Sequence, residues 1–304
     1  MADYDVIVIG GGPAGLAATL YLLQAQLHVA LVTPDLGGKV SYPFQLRGLP
    51  AVESAWGADL VQQFAAHIEA KLKAIYPQEV VQLASSAGGA FHLTLQDGSQ
   101  LDARAVILAT GAHPQRLYVQ GEKEWQGRGV SFSAVSHAQF FRGRTVAVVG
   151  GERGLEAVLK LAGLANRVYY ILARKQELEV PQVNAIALHN PKVALFFDWE
   201  VQRIIGDDFV TGVELVGVNG ETRSLAVDGV FVELGLLPNN SLVRELVALD
   251  EEGHIIINQH CESSIPGLFA AGDVTNVYAE QVPVAIGEGV KAALSAWSYL
   301  SLPH

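Results

Sequence analysis

Short apolar runs that stop at glycine recur along the chain and predict strands buried on both faces of a parallel sheet. The first two are Tyr4–Ile9 and Val29–Val32, and Leu16 to Gln26 between them has helical spacing. The same order returns about 140 residues later, where Thr145–Val149 and Arg167–Leu172 flank a second helical segment. The pattern therefore predicts two β-α-β units.

Further segments complete these units. Residues 78–110 alternate apolar and polar positions around a hairpin turn at Asp97-Gly98. Glycine-ended apolar runs follow at Val230–Leu234 and Leu268–Ala271, and a helix is predicted after Pro283. The alternation of strands and helices favours the α/β class.

Length and composition agree with two domains. The chain has 304 residues, about twice a typical domain length, of which 50% are hydrophobic and 17% charged. We predict an α/β protein with two nested Rossmann-like domains, the second inserted into the first. The first would comprise residues 1–116 and 246–304, and the second residues 117–245.

Charge and cysteine content exclude several functions. The net charge of −11 argues against nucleic-acid binding. Cys261 is the single cysteine, so one chain holds no disulfide framework and no cysteine zinc site, and we predict no metal site. Asp3 and Asp5 stand where a signal peptide would be basic, and no apolar run approaches a membrane helix of about 20 residues. We expect a cytoplasmic protein without an integral membrane segment.

The first glycine turn carries the clearest chemistry. It reads Gly10-Gly11-Gly12-Pro13-Ala14-Gly15, a G-x-G-x-x-G motif between strand and helix. Gly10 permits the tight turn, Gly12 lets the backbone approach a pyrophosphate, and Gly15 lets the helix pack closely on the strand. The helix N-terminus offers unpaired N–H groups to the phosphates. The motif predicts a bound dinucleotide.

Together with four further segments, this motif resembles the low-molecular-weight thioredoxin reductases, which are flavoproteins with two dinucleotide domains. The segments are Gly37-Gly38-Lys39, Thr110-Gly111, the run from Gly267 that ends in Gly272-Asp273, and Glu280-Gln281-Val282. The resemblance covers nearly the whole chain and implies an FAD held by these residues and by the Gly10–Gly15 turn. It implies that Asp273 accepts hydrogen bonds from the ribityl chain, and that Gln281 and Val282 meet the flavin at a helix start whose dipole favours reduction.

The chain departs from this family at the redox disulfide. Where the family has C-x-x-C followed by Asp, this chain has Ser133-Ala134-Val135-Ser136-His137. Hydroxyl groups form neither a disulfide nor a flavin adduct, so we expect no dithiol exchange within this chain. Natural loss and engineered replacement of both cysteines stay open, and so do serines that only cap the next helix. His137 is a candidate proton carrier, or else a polar surface residue.

The second nucleotide turn also departs from the family. An ungapped alignment with G-x-G-x-x-A puts Glu152 at the second glycine and Leu155 at the small residue. A carboxylate ~5 Å from a phosphate costs on the order of 3 kcal/mol at an effective dielectric of about 20. The basic motif with which the family binds the NADPH 2′-phosphate aligns with Ala173–Glu179, where its last arginine is replaced by Glu179. We therefore predict that NADPH does not bind.

An FAD site without a pyridine-nucleotide site resembles the diflavin-linked disulfide oxidoreductases. That branch implies a second FAD, with Tyr42 as one candidate to stack on it. The predicted function is an FAD-dependent oxidoreductase that exchanges electrons with a dithiol or disulfide of a protein or small thiol, as a homodimer. Two alternatives are a thiol-free flavin reductase resembling the ferredoxin–NADP reductases and a non-catalytic FAD-binding sensor.

Overall fold

The structure is a computed structural model that describes residues 2–41, 44–48, 58–86, 89–172 and 189–302. The strands in chain order are β1 Tyr4–Ile9, β2 Val29–Val32, β3 Ile75–Tyr76, β4 Val80–Ser85, β5 Phe91–Leu95, β6 Gln100–Leu108, β7 Ala112–Pro114, β8 Val130–Ser131, β9 Thr145–Val149, β10 Arg167–Leu172, β11 Val193–Phe197, β12 Trp199–Gly206, β13 Val210–Gly217, β14 Thr222–Ala226, β15 Gly229–Val232, β16 Leu236–Pro238 and β17 Leu268–Ala270. The α-helices are α1 Pro13–Gln24, α2 Ala58–Lys71, α3 Ala134–His137, α4 Glu152–Ala162 and α5 Val282–Ser301.

These elements confirm the predicted α/β class. Strands β1, β2, β9 and β10 have the bounds that the apolar runs predict, and α5 begins one residue before Pro283. Helix α2 and the strands β11 to β14 were not predicted. Helix α1 begins at Pro13, inside the glycine motif, because Gly12 is its N-cap residue.

The chain divides into two compact units. One comprises the described parts of Met1–Tyr42, Trp56–His113 and Leu237–His304, and the other those of Pro43–Ala55 and Pro114–Leu236. The chain passes between them at 113/114 and 236/237, whereas the predicted domain boundaries are 116/117 and 245/246. The described residues 44–48 also belong to the second unit, although they lie within the predicted first domain.

The first unit contains a seven-stranded sheet in the order β3-β2-β1-β6-β5-β4, with β17 also paired to β6. Strand β6 is long enough for two neighbours on one side. Its first half is antiparallel to β5, and its last residues are parallel to β17 through the pairs Leu268–Val106 and Ala270–Leu108. Strands β1, β6 and β17 therefore end at the same edge of the sheet.

Apolar side chains cover both faces of this sheet. Val6 and Val8 of β1 lie in a core with Leu16 of α1 and Ala292 of α5. The alternate residue Ile7 packs in a second core with Leu93 and other side chains. This burial on both faces explains why the parallel strands are continuous apolar runs.

The second unit has a parallel five-stranded sheet in the order β11-β10-β9-β15-β8. One face packs on α4, where Val148 lies in a core with Val158 and Leu161. The other face packs on the three-stranded antiparallel sheet β12-β13-β14, where Val149 shares a core with Val213. The parallel sheet of the second unit is therefore covered by α4 on one face and by the antiparallel sheet on the other.

In the part of the chain that the structure describes, no helix is long and apolar enough to cross a membrane.

A glycine pair in α5 tests how tightly α1 and α5 pack. A Cβ on Gly289 would clash with the carbonyl oxygen of Ala14 in α1, whereas one on Gly287 would meet no described atom within 4 Å. We expect Gly289→Ala to lower the free energy of unfolding by about 3 kcal/mol. Gly287→Ala, the matched control, should leave it unchanged or raise it by up to about 1 kcal/mol. Urea unfolding measures both, and equal effects would contradict this packing.

Candidate functional site

The predicted cofactor residues follow the carboxyl ends of adjacent strands in the first unit. Gly10 follows β1, Thr110 and Gly111 follow β6, and Gly272 and Asp273 follow β17. The N–H of Ala271 donates to the Leu108 carbonyl at 2.9 Å, which joins the end of β17 to the end of β6. Ligands bind at this edge in open α/β sheets, where the strand order reverses.

Two glycines of the first turn are required by the packing of the chain itself. Gly10 has a φ of +110°, and a Cβ there would clash with the carbonyl oxygen of Ala109. A Cβ on Gly15 would clash with the carbonyl oxygen of Gly10. The predicted roles of these two residues, a tight turn and close packing of helix on strand, agree with this geometry.

Gly12 is different, because internal packing does not explain it. Its φ is −74°, which any residue adopts, and a Cβ there would meet no described atom within 4 Å. The backbone at Gly12 therefore faces open space at the start of α1. This opening is suited to a group that must approach the backbone closely.

Both helices that begin at this part of the first unit have uncapped N-termini. Neither Gly12 before α1 nor Gln281 before α5 makes a side-chain capping hydrogen bond, and the first turns contain no acidic residue. The free N–H groups and the helix dipole favour a negatively charged partner at each end. Gln281 and Val282 lie about two turns before Gly289, the point where α5 meets α1.

The loops that carry Lys39 and Asp273 meet at the first turn of α1. The Lys39 Nζ atom lies 2.8 Å from the Asp273 Oδ2 atom. Upstream of Lys39, the N–H of Gly37 donates to the Gly11 carbonyl at 2.7 Å, and the N–H of Gly38 donates to Asp35 Oδ1 at 3.0 Å. The sequence predicts each charged residue separately, and the structure joins them.

Two residues that the sequence analysis missed hold these loops in place. Glu288 is a buried carboxylate of α5 that accepts the Gly272 N–H at 2.9 Å and the Thr275 hydroxyl at 3.2 Å. An acid on the buried helix face of Ala285 and Ala292 is the signal that could have revealed it. Asn239 is the second residue, and its side-chain amide donates to the Thr110 carbonyl at 2.8 Å.

In the second unit, Ser133 and Ser136 form a helix cap. The Ser133 hydroxyl accepts the Ser136 N–H at 3.2 Å and donates to the Ser136 hydroxyl at 3.1 Å. Helix α3, which Ser133 caps, is only four residues long. The two side chains are thus adjacent, as a C-x-x-C pair would need to be, and each hydroxyl is engaged in the cap.

His137 is held inside this unit. Its ring stacks on Phe44 with centroids 4.1 Å apart and an angle of 8°, and its Nδ1 is 2.9 Å from the Ser131 hydroxyl. Burial lowers the pKa of His137 to about 4. The imidazole is therefore neutral near pH 7, and the role of His137 as a proton carrier stays a prediction.

The second nucleotide turn is one residue shorter than the first. Helix α1 begins three residues after Gly10, but α4 begins at Glu152, two residues after Gly150, with Gly151 as its N-cap. Matching the helix starts puts Gly154, and not Leu155, at the position of Gly15. The ungapped alignment is therefore wrong by one residue within α4, because a turn with one residue fewer shifts the helix register.

Tyr170 fills the space beneath this shorter turn. Its hydroxyl donates to the Gly151 carbonyl at 2.6 Å, and a Cβ on Gly154 would lie 3.1 Å from its ring. Glu152 is the first residue of α4 and is exposed, so its carboxylate lies at the helix end that a pyrophosphate would use. The predicted 2′-phosphate grip at Ala173–Glu179, and Tyr42, lie outside the described residues.

Comparison with known proteins gives consistent matches over most of the chain. The family model described as pyridine nucleotide-disulphide oxidoreductase matches residues 4–289. The F subunit of the alkyl hydroperoxide reductase of Staphylococcus aureus (strain NCTC 8325 / PS 47) is 33% identical over 98% of this chain. The NADH dehydrogenase of Bacillus subtilis (strain 168) is 34% identical over 98%. The chain spans 59% and 58% of the length of these two relatives.

Among solved structures, the thioredoxin reductase from Streptococcus pyogenes MGAS5005 is similar over 98% of both chains. The TM-score is 0.86 and the sequence identity 33%. The similarity therefore extends over nearly the whole of that solved chain, whereas it covers less than two thirds of the two relatives above.

The environment of His137 predicts how stability depends on pH. The folded-state pKa of about 4 lies below the ordinary value of 6.5, so only the unfolded chain takes up this proton between those values. As the pH falls from 6.5 to 4, we expect this residue to remove about 3 kcal/mol from the free energy of unfolding.

Urea unfolding from pH 7 to 4 tests this expectation. In His137→Asn, the free energy of unfolding should fall by about 3 kcal/mol less over this pH range than it does in the wild type. His67→Asn, a control at an exposed site on α2, should show the same fall as the wild type. Identical pH profiles for the wild type and His137→Asn would contradict a half-buried imidazole that stays neutral in the folded protein.

Proposed function

Because the chain belongs to the pyridine nucleotide-disulphide oxidoreductase family, we propose that it is an FAD-dependent oxidoreductase of the thioredoxin reductase type without that type's internal disulfide. The single observation that carries the FAD assignment is Gly12, a helix N-cap at which an added Cβ would meet no atom of the described residues within 4 Å. FAD would supply two-electron transfer when bound.

The residues of the first unit fit an FAD in their own chemistry. The uncapped N–H groups at the start of α1 suit its pyrophosphate, as does the Gly10–Gly15 turn. Asp273 suits the ribityl hydroxyls as an acceptor, and the start of α5 at Gln281 and Val282 suits the electron-rich edge of the flavin. Lys39 and Thr110 with Gly111 complete the proposed set.

We propose that the chain performs no disulfide exchange of its own. Ser133 and Ser136 stand at the site of the family's cysteines, and a hydroxyl pair at this position stores no electrons. The pair caps α3, and the neutral His137 beside it has a low proton affinity at pH 7. Electrons would therefore pass between the flavin and a group outside the chain.

We extend the proposal to the external partner on the strength of the family resemblance. The partner would be a dithiol or disulfide of another protein, or a small thiol, and the enzyme would act in the cytoplasm as a homodimer. The similar proteins named above, a thioredoxin reductase and an alkyl hydroperoxide reductase component, support a partner of this chemical class. A thiol-free flavin reductase is the second candidate, since the serine pair is fully used as a helix cap.

NADPH is not the proposed electron donor. The shortened turn before α4 and the exposed carboxylate of Glu152 oppose a pyrophosphate at this helix end. Like-charge repulsion over ~5 Å at an effective dielectric of about 20 is about 3 kcal/mol, on the order of a hundredfold in affinity. The loss of this site is also the reason to propose a second FAD, which the diflavin resemblance implies.

Titration of the apoprotein with FAD tests the cofactor assignment. Gly12→Val should weaken FAD binding at least about a hundredfold, near 2.7 kcal/mol, because its side chain enters the open space. The fold should persist because a Cβ at position 12 would have no described atom within 4 Å, and Gly287→Ala, at a position with the same clearance, is the control. A wild-type chain that ignores FAD would end the proposal. Saturation at two FAD per chain would support the second flavin, and saturation at one would contradict it.

Stopped-flow mixing tests the loss of the pyridine-nucleotide site. We expect sub-millimolar NADPH or NADH to bleach the bound FAD only over minutes, because Glu152 and the shortened turn oppose binding. Glu152→Gln should accelerate the bleaching, and Glu156→Gln, one turn further along α4, should not. Bleaching of the wild type within seconds would show that a working nucleotide site remains.

A further inference from the structure

Lys39 and Asp273 are 234 positions apart in the sequence and form an ion pair in the first unit. The Lys39 Nζ atom donates to the Asp273 Oδ2 atom at 2.8 Å. The side chain of Asp273 is 17% exposed and that of Lys39 38%. Lys39 lies in a single 3₁₀ turn, Gly38–Ser41, and Asp273 lies in the loop after β17, so the pair joins two connecting loops.

Both loops lie directly against the first turn of α1. A Cβ on Gly38, next to Lys39, would lie 3.1 Å from the Cα of Gly12, and one on Gly272, next to Asp273, would lie 3.0 Å from the Cβ of Ala14. The ion pair therefore flanks the helix end at which an FAD pyrophosphate is proposed to bind.

The excess of acidic residues in the predicted first domain makes the Lys39–Asp273 ion pair important for binding an anionic cofactor. The predicted first domain has 7 basic and 16 acidic residues, so it repels an anionic cofactor at long range. An unpaired carboxylate at Asp273 would add repulsion directly beside the phosphates. The ammonium group of Lys39 neutralises the Asp273 carboxylate beside the turn at which the phosphates are proposed to bind.

We propose that Lys39 is a positioning residue for the cofactor: it neutralises Asp273 beside the phosphate-binding turn and leaves the second carboxylate oxygen to the ribityl hydroxyls. This inference rests on the proposed FAD site. In this arrangement Lys39 helps FAD to bind through Asp273, and it does not compete with FAD for the carboxylate.

A double-mutant cycle on FAD affinity tests the proposal, because it isolates the coupling between two side chains. We expect Lys39→Met to weaken FAD binding about tenfold, and Lys39→Arg to keep it within about threefold of the wild type. In the Asp273→Asn background, Lys39→Met should change the affinity by less than about twofold, since no carboxylate charge is left to cancel.

The control is an ion pair of the same unit at the opposite edge of the sheet. Arg104 Nη1 lies 3.1 Å from Asp5 Oδ1, and Asp5 precedes Gly10 by five residues of extended chain, about 17 Å. Arg104→Met removes one positive charge, as Lys39→Met does, and should leave FAD binding unchanged. Raising the salt concentration should reduce the difference in FAD affinity between the wild type and Lys39→Met, because salt screens the charges.

The outcomes separate this inference from the function on which it rests. Unchanged or tighter FAD binding by Lys39→Met would overturn the inference alone, and so would an equal loss in the Asp273→Asn background. A wild-type chain that binds no FAD would overturn both. Thermal unfolding of each variant, with transitions close to that of the wild type, ensures that affinities are compared between folded proteins.

Discussion

Close backbone contact around the first turn of α1 is the constraint on which the proposed cofactor site depends. Gly15 brings the helix against the carbonyl of Gly10, and Gly289 brings α5 against the carbonyl of Ala14, with no room for a Cβ at either position. Because α1 is held from two sides, its free N–H groups are fixed beside the ends of β1 and β17. The opening at Gly12 and the loop of Asp273 then lie at one helix end.

Sequence reasoning succeeded where local pattern determines structure. Buried parallel strands are continuous apolar runs, so β1, β2, β9 and β10 could be read from the sequence, and the family resemblance that their glycine turns support is confirmed. Helix α2 has only three buried residues, Ala58, Val61 and Ile68, so its pattern is weak. The predicted alignment of the second nucleotide turn is shifted by one residue. The start of α4 is set by Gly151 as its N-cap, and the spacing of the glycines in the sequence does not reveal this.

The site shows the same division between local and tertiary information. Gly10 and Gly15 have roles that follow from the motif, but the burial of His137 depends on Phe44, which is 93 positions earlier in the chain. The buried Glu288 and the pairing of Lys39 with Asp273 likewise arise from contacts between distant segments. The serine pair is the clearest case in which both interpretations hold, since Ser133 is a good N-cap and also occupies the position of a redox cysteine.

The central claim is that this chain has an FAD site of the family's type and lacks the sulfur pair of the family's redox centre. Anaerobic reductive titration, counted as electrons per chain after the bound FAD has been measured, tests this claim most directly in the wild type and in the Ser133→Cys, Ser136→Cys double variant. The account predicts two electrons for each bound FAD in the wild type and two more per chain in the double variant, because a disulfide accepts two. An equal uptake per chain by both proteins, or an uptake by the wild type above two electrons per bound FAD, would contradict it.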